Sequence, residues 1–308
     1  MASNGTLAQS YRGRFAPSPT GPLHFGSLVA AVGSYLDARA HNGTWLLRID
    51  DIDAPRSVVG ATEAILRTLE RFGFAWDGAV VRQSLRIPRY RAAFERLRLA
   101  DAVFACACSR REIADSALTQ TGGLRYPGTC RAGITPGRDA RAWRFKVEVG
   151  DVCFEDALQG LYRQDVAAAV GDFVVWRADD AFAYQLAAVV DDAEAGITQV
   201  VRGADLLDST PRQILLQRSL GYATPSYLHL PAAVNGAGEK LSKQTRARPL
   251  DESRPAPALF DALAFLGQEP PVALCDATLD EMWRWAIANW QRTRLPRWRS
   301  AAAPAAHY

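Results

Sequence analysis

The sequence predicts an α/β protein built on a parallel β-sheet. Short apolar segments bounded by Gly, Pro or acidic residues alternate with longer segments in which apolar residues recur at helical spacing. Strand, helix, strand, helix in this order is typical of parallel strands whose connecting helices pack on the sheet. At 308 residues, of which 48% are hydrophobic and 22% charged, the chain can bury a large core in one large domain or two unequal ones.

The first hundred residues carry this alternation most clearly. A first strand is expected at residues 11–16, followed by a helix that begins near Gly26 or Ser27. The run TWLLRIDD, residues 44–51, predicts a buried strand. Further helices are expected around residues 65–72, where Gly73 ends the pattern, and around residues 90–97.

Residues 103–150 interrupt the alternation with a group of cysteines, the loop TQTGG and the basic strand-like run AWRFKVEV. We interpret this region as an insertion in a crossover connection of the sheet. The expected division is therefore a first half of the sheet domain at 11–102, the insertion at 103–150, a second half at 151–225 and a helical region at 226–300.

The alternation is expected to resume after the insertion. DFVVWR and ITQVV predict further strands of the sheet, YQLAAVVDD predicts a helix, and another helix begins near Thr210. Two amphipathic helices are expected at residues 258–266 and 279–290, followed by a frayed tail.

Composition excludes a few functional classes and leaves others open. The net charge of +3 is compatible with a nucleic-acid partner but does not require one. No segment approaches the roughly 20 apolar residues that span a bilayer, and the first ten residues lack the basic start and apolar stretch of a signal peptide. We expect a cytoplasmic protein without a membrane partner, and a monomer.

The segment RFAPSPTGPLHFGS, residues 14–27, predicts a strand that turns sharply into a helix. The first N–H groups of such a helix favour an anion, and Gly26 lets a phosphate or a purine approach the backbone closely. His24 can donate a hydrogen bond to a phosphate oxygen. The alternative is a proline-rich turn with a packed histidine.

The segment GEKLSKQ, residues 238–244, predicts a mobile loop with two lysines, Lys240 and Lys243. Such a loop can close on a polyphosphate, with each ammonium group acting as a point charge. Alone it is a weak signal, because lysine-rich loops are usually solvated surface. Together with PLHFGS more than two hundred residues earlier it becomes specific.

These two segments resemble the two signatures of the class I glutamyl-tRNA synthetases. The resemblance also covers LLRIDDID, FAYQLAAVVDD and VRGADLL, in the family's order, from about Arg14 to Gln244. It is closest to the truncated members of the family, the glutamyl-queuosine tRNA(Asp) synthetases. It implies a Rossmann-like class I catalytic domain with a zinc-bearing insertion, a short helical stem-contact region at the C-terminus and no anticodon-binding domain.

The resemblance also implies a reaction. Members of the family activate glutamate with ATP, with Mg²⁺ expected, to form glutamyl-adenylate and pyrophosphate. The glutamyl group then passes to a hydroxyl of the RNA, here queuosine in the anticodon of tRNA(Asp). An ordinary glutamyl-tRNA synthetase acting on tRNA(Glu) remains an alternative, and so does a catalytically silent, zinc-containing tRNA-binding protein.

Motif matches carry the family's functional residues to this chain. His24 and Lys243 are implied to stabilise charge in the activation step, and ATP is implied to bind at His24, Gly26, Lys240, Ser242 and Lys243. Glutamate is implied to bind at Arg14, Phe15, Ala16, Pro17, Ser18, Asp50, Tyr184 and Arg202. Asp50 departs from the family, which typically has glutamate there, and its shorter side chain predicts a bridging water to the substrate ammonium. Ion pairing at strand ends is the alternative role for Arg14, Arg202 and Asp50.

Three of the five cysteines, Cys106, Cys108 and Cys130, lie close together in the sequence. With Tyr126 they could enclose one tetrahedral zinc ion through three thiolates and one oxygen, and the resemblance implies the same structural site. A set of buried thiols without metal is the alternative. Cys153 and Cys275 are isolated and are expected to be core thiols.

Overall fold

A computed structural model describes residues 10–109, 111–113, 125–241 and 247–307. Ser242 and Lys243, predicted to bind ATP, lie outside these residues, and so does the predicted loop TQTGG. Within the described ranges, no helix has the length and apolar character needed to cross a membrane.

Twelve strands and eight helices are described. The strands are β1 (Arg12–Phe15), β2 (Thr44–Ile49), β3 (Val81–Arg82), β4 (Val103–Cys106), β5 (Ala142–Phe145), β6 (Asp151–Asp156), β7 (Gly160–Asp165), β8 (Phe173–Trp176), β9 (Gln199–Gly203), β10 (Ser226–Leu230), β11 (Ala232–Val234) and β12 (Ser300–Ala302). The helices are α1 (Phe25–Ala40), α2 (Ala61–Arg71), α3 (Ile87–Leu99), α4 (Val166–Ala169), α5 (Tyr184–Glu194), α6 (Thr210–Leu220), α7 (Pro255–Phe265) and α8 (Leu279–Asn289).

The main sheet is parallel, as the alternation predicted. β1 pairs with β2 and β2 with β3, while β10 pairs with both β9 and β6, all in parallel register. The backbone N–H of Thr198 donates to the carbonyl oxygen of Arg12 at 2.9 Å, so β9 lies beside β1 and joins the two groups of strands. β7 runs antiparallel to β6 at the edge. The carboxyl ends of β1, β2 and β9 therefore meet at one edge of the sheet.

Helix α1 lies at the centre of the largest core. Most of its residues are buried, including Phe25, Val32 and Leu36, because the helix packs on β1, β2 and β9 on one side and on α7 and α8 on the other. Burial on both sides explains why the helix is apolar almost all round rather than striped. Since α1 follows β1 directly, this packing fixes the turn between the two elements.

A second, antiparallel sheet, in the order β4, β5, β8, combines two strands of the insertion with one strand that follows it. The segment DFVVWR forms a strand as expected, but the prediction that it returns to the parallel sheet is wrong, because β8 pairs antiparallel with β5. An apolar run of four residues is compatible with either sheet, and only the strands that it pairs with decide which one it joins. The domain boundaries expected from the sequence stay predictions.

The C-terminal segment differs from the expected frayed tail. Its two predicted helices are present as α7 and α8, and β12 then pairs in parallel with β11. Further on, the His307 ring stacks on Phe25 at 4.2 Å between centroids and its Nε2 lies 2.8 Å from a carboxylate oxygen of Asp261. The expectation of core thiols is also wrong, since Cys153 and Cys275 are exposed.

Candidate active site

A cavity of about 820 Å³ opens at the edge where β1, β2 and β9 end. Each residue of the predicted glutamate and ATP sets that the structure describes lines it, namely Arg14, Phe15, Ala16, Pro17, Ser18, His24, Gly26, Asp50, Tyr184, Arg202 and Lys240. These residues come from positions as far apart as 14 and 240. The structure therefore brings together the residues that the motifs selected, and the role of each residue stays a prediction.

His24 caps the N-terminus of α1, which begins at Phe25. Its Nδ1 accepts a hydrogen bond from the backbone N–H of Ser27 at 3.3 Å, so the neutral ring carries its proton on Nε2. A Cβ atom at Gly26 would meet two atoms of the His24 ring at 3.2 Å. Glycine at this position thus allows the imidazole to lie close against the start of the helix.

The charge of Arg14 is balanced inside the protein. Its Nε and Nη2 each donate to a carboxylate oxygen of Asp192 at 3.1 Å, a bidentate pair in which both side chains are almost fully buried. Arg48 donates to the same carboxylate at 2.6 Å. Although burial opposes ionisation, the guanidinium groups of Arg14 and Arg48 lower the pKa of Asp192 to about 2.

Asp50 is engaged by the same network. Arg48 donates to its two carboxylate oxygens at 2.6 and 3.4 Å. Burial, joined by the negative charges of Asp191 and Asp192, raises the pKa of Asp50, and Arg48 acts in the opposite direction. Asp50 thus lies in the cavity wall as a buried carboxylate held by one arginine.

Arg202 is held by neutral groups instead. Its Nε donates to Nε2 of His229 at 3.0 Å, and its Nη2 donates to the hydroxyl of Thr210 at 2.8 Å. Nδ1 of His229 lies 2.6 Å from a carboxylate oxygen of Asp156, and burial lowers the pKa of His229 to about 4, so the ring is neutral at pH 7. Of the acidic side chains in the described part of the chain, none forms an ion pair with Arg202.

Lys240 is paired at the mouth of the cavity. Its ammonium group lies 2.5 Å from a carboxylate oxygen of Asp205, and about half of the lysine side chain is exposed. A Cβ atom at Gly203 would lie 2.4 Å from an oxygen of Asp205, so this glycine leaves room for the carboxylate. Both members of the pair line the cavity.

Sequence reasoning missed the residues that support the cavity, which are Arg48, Asp156, Asp192 and His229. Asp192 and Arg48 lie inside motifs that were recognised, FAYQLAAVVDD and LLRIDDID, so charged residues within otherwise apolar elements were the available signal. Nothing comparable marks His229, which lies in a buried strand far along the chain from its partners.

The three predicted cysteines form one cluster with Tyr126. The three sulfur atoms lie within 4.8 Å of one another, and the Cys108 and Cys130 sulfurs are 3.6 Å apart. The Tyr126 hydroxyl oxygen lies 3.4 Å from the Cys106 sulfur and 3.9 Å from the Cys108 sulfur. Although burial acts against it, hydrogen bonds from Tyr126 and Arg144 lower the pKa of Cys106.

Comparison with known proteins agrees with this geometry. The family described as tRNA synthetases class I (E and Q), catalytic domain, matches residues 10–267. The chain is 62% identical to the glutamyl-Q tRNA(Asp) synthetase of Aromatoleum aromaticum over 97% of this chain and 95% of that protein. It is 60% identical to the protein of the same name from Dechloromonas aromatica, over 93% of this chain and 96% of that protein.

Solved structures point to the same class. The chain is similar to a glutamate–tRNA synthetase from Elizabethkingia anophelis, with a TM-score of 0.80 and 25% identity, over 97% of this chain and 69% of that chain. The chain therefore belongs to the class I tRNA synthetases of the E and Q group and, within it, to the family of the glutamyl-Q tRNA(Asp) synthetases.

Proposed function

We propose that this protein activates glutamate with ATP and transfers the glutamyl group to queuosine in the anticodon of tRNA(Asp). The names of the relatives at 60–62% identity support this substrate, since they match over nearly their whole length. The glutamate–tRNA synthetase structure is only 25% identical, which favours queuosine over the alternative acceptor, tRNA(Glu). Residues of both signature segments, His24 and Gly26 of the first and Lys240 of the second, line the same cavity, which favours an active enzyme over a silent RNA-binding protein.

The glutamate specificity rests on Arg202, whose buried positive charge has no carboxylate partner among the described residues. This residue is 6% exposed and lines the cavity, and it donates hydrogen bonds to two neutral side chains, those of His229 and Thr210. A buried cation without a carboxylate partner is costly, and a ligand carboxylate removes that cost. Arg202 is therefore the receptor for the distal carboxylate of glutamate, and His229 and Asp156 are positioning residues that fix the plane of its guanidinium.

Arg14 and Asp50 contribute differently. Because Asp192 already balances the charge of Arg14, we assign Arg14 to hydrogen bonding and orientation of the reacting carboxylate, beside residues 15–18 of the cavity wall. Asp50 is assigned to the substrate ammonium, with a water bridging the length of the missing methylene. Tyr184, at the start of α5, closes the amino-acid side of the site.

ATP is assigned to the edge formed by His24 and Gly26, where the first N–H groups of α1 favour phosphate. The Nε2–H of His24 can donate to a phosphate oxygen as the glutamate carboxylate attacks the α-phosphorus and the bond to pyrophosphate breaks. Lys240 would exchange Asp205 for the polyphosphate. Lys243 and Ser242, by motif, complete the loop, and Mg²⁺ when bound neutralises phosphate charge.

We assign one structural zinc ion to Cys106, Cys108, Tyr126 and Cys130. A tetrahedral site with Zn–S bonds of about 2.3 Å has sulfurs about 3.8 Å apart and an oxygen about 3.5 Å from each sulfur. The distances of 3.6 Å between two sulfurs and of 3.4 and 3.9 Å from the tyrosine oxygen fit this geometry. Zinc bound there would tie the end of β4 to the loop before β5.

Cys108→Ser is expected to lose the metal, from about one zinc per chain in the parent protein, as measured by elemental analysis. The insertion should loosen at the same time, because the binding energy of a structural zinc is partly folding energy. Tyr126→Phe should weaken binding without abolishing it, because three thiolates remain and water can fill the fourth place. The exposed cysteine variant Cys153→Ser is the matched control and should keep its metal. If parent protein without zinc still activates glutamate, the assignment of a zinc site to this cluster is wrong.

The function is tested by charging with labelled glutamate. We expect labelling of tRNA(Asp) that carries queuosine and none of tRNA(Asp) that lacks it, with tRNA(Glu) as the second comparison. Labelled glutamine is the control substrate, because its amide leaves the Arg202 charge unpaired. Charging of tRNA(Glu) alone would establish the ordinary synthetase, and absence of glutamate-dependent ATP–pyrophosphate exchange would establish the silent protein.

A further inference from the structure

A tryptophan is exposed near the cavity, just before the last strand. Trp298 keeps 68% of its surface exposed, whereas the other seven tryptophans of the chain are buried or half-buried. Indole is a large apolar group that folded proteins normally cover, at least in part. Its exposure at one position therefore suggests a ligand that covers it.

The backbone around Trp298 is anchored, so the exposed ring is not part of a loose end. The Trp298 carbonyl oxygen accepts a hydrogen bond from the Gln159 side-chain amide at 3.5 Å. The next carbonyl, of Arg299, accepts from the backbone N–H of Ala232 at 2.9 Å, and the β12 residues that follow pair with β11. Ala232 itself lines the cavity, which sets Trp298 a short distance from it.

The groups beside Trp298 are cationic. Arg297 and Arg299 flank it and both are exposed. The Arg299 guanidinium lies 5.6 Å from the centre of the Tyr162 ring and 4.0 Å from the carboxylate of Asp208. Asp208 lies in the turn after β9 that also carries the cavity residue Asp205. An exposed indole whose two neighbours in sequence are exposed arginines is suited to a base and its phosphates.

We propose that Trp298, Arg297 and Arg299 form a stacking platform for an unpaired base of the RNA substrate. This inference rests on the proposed function, which requires a nucleoside of a single-stranded loop to reach the cavity. The base stacks on the indole, and the two arginines contact the phosphates on either side. The Arg–Trp–Arg sequence has charge complementary to RNA, which favours this occupant over a second copy of the chain.

Binding of a synthetic anticodon stem-loop of tRNA(Asp) tests the platform, without glutamate or ATP. Trp298→Ala should raise the dissociation constant about tenfold or more, and Trp298→Phe should keep most of the affinity. The double variant Arg297→Ala, Arg299→Ala should bind with a weaker salt dependence. The slope of the logarithm of the association constant against the logarithm of the salt concentration should become less negative by about 0.7 for each phosphate that is no longer neutralised. Leu99→Ala, an equally exposed apolar position on α3, is the control and should bind as the parent does.

Two readouts separate a platform from a structural effect. ATP–pyrophosphate exchange should be unchanged in Trp298→Ala, while the KM for tRNA in glutamyl transfer rises by the factor seen in binding. The inference is overturned if Trp298→Ala binds the stem-loop within twofold of the parent, loses exchange activity in parallel, or converts a dimeric parent to a monomer. Parent protein that binds the stem-loop through Trp298 but transfers no glutamate would contradict the proposed function alone.

Discussion

Asp192→Ala is expected to lower the free energy of unfolding by about 3–5 kcal/mol. In the parent protein this carboxylate accepts two hydrogen bonds from Arg14 at 3.1 Å and one from Arg48 at 2.6 Å. Both arginines are about 5% exposed or less, so truncation leaves two cations away from water with their shared partner removed. Of these two arginines, Arg48 keeps other carboxylates close by, those of Asp50 at 2.6 Å and Asp191 at 3.6 Å, so Arg14 is the one that loses its ion-pair partner.

Urea denaturation measures this loss of stability, and two further variants serve as comparisons. Asp192→Asn keeps the shape but removes the charge, so it should be less destabilising than Asp192→Ala. Glu95→Ala breaks an exposed pair with Arg98 and should change stability by less than about 0.5 kcal/mol. A decrease below about 1 kcal/mol in Asp192→Ala would mean that the two arginines find other partners or water.

Acid titration supplies an independent check on the same carboxylate. The pKa of Asp192 is about 2 in the folded protein, against about 3.9 for an unfolded chain. A depressed folded pKa contributes stability above the unfolded value, and that contribution disappears as the pH falls from about 4 to about 2. The parent protein should therefore lose more stability over this range than Asp192→Ala does. Parallel curves would assign the low pKa to a different group.

The sequence allowed the cavity to be predicted because its residues follow strands of one parallel sheet. Arg14, Asp50 and Arg202 lie at or beside the ends of β1, β2 and β9, and such ends share an edge. The start of α1 was predicted to within a residue or two for a similar reason, since glycine and His24 mark its first turn. Local pattern and motif order were sufficient for these elements.

What could not be predicted depends on partners distant in sequence. Arg14 and Asp192 are 178 residues apart, and no local pattern indicates that one neutralises the other. β12 is a run of small residues without apolar alternation, and it becomes a strand because the backbone groups of β11 are available to pair with it. β8 was assigned to the wrong sheet because strand periodicity carries no information about direction.

Arg202→Ala is expected to lower kcat/KM for glutamate by about 10²- to 10³-fold while stability changes little. The Arg202 side chain is about as buried as that of Arg14, but its removal leaves no charged group without an ion-pair partner. His229 keeps its bond to Asp156, and the hydroxyl of Thr210, 3.2 Å from Nε2 of His229, can donate to the nitrogen that Arg202 vacates. The interaction that the variant lacks is then the one to the substrate carboxylate.

The ratio between glutamate and glutamine distinguishes this role from general damage. In the parent protein a carboxylate balances the Arg202 charge and an amide does not, so exchange with glutamine should be at least about a hundredfold weaker. Arg202→Ala removes the charge that discriminates, and the two amino acids should become nearly equal, at an unchanged KM for ATP. Arg202→Lys keeps the charge but not the planar fork, and should fall between the two. If Arg202→Ala preserved the parent preference for glutamate, the distal carboxylate would have to bind elsewhere, and Arg14 would be the next residue to substitute.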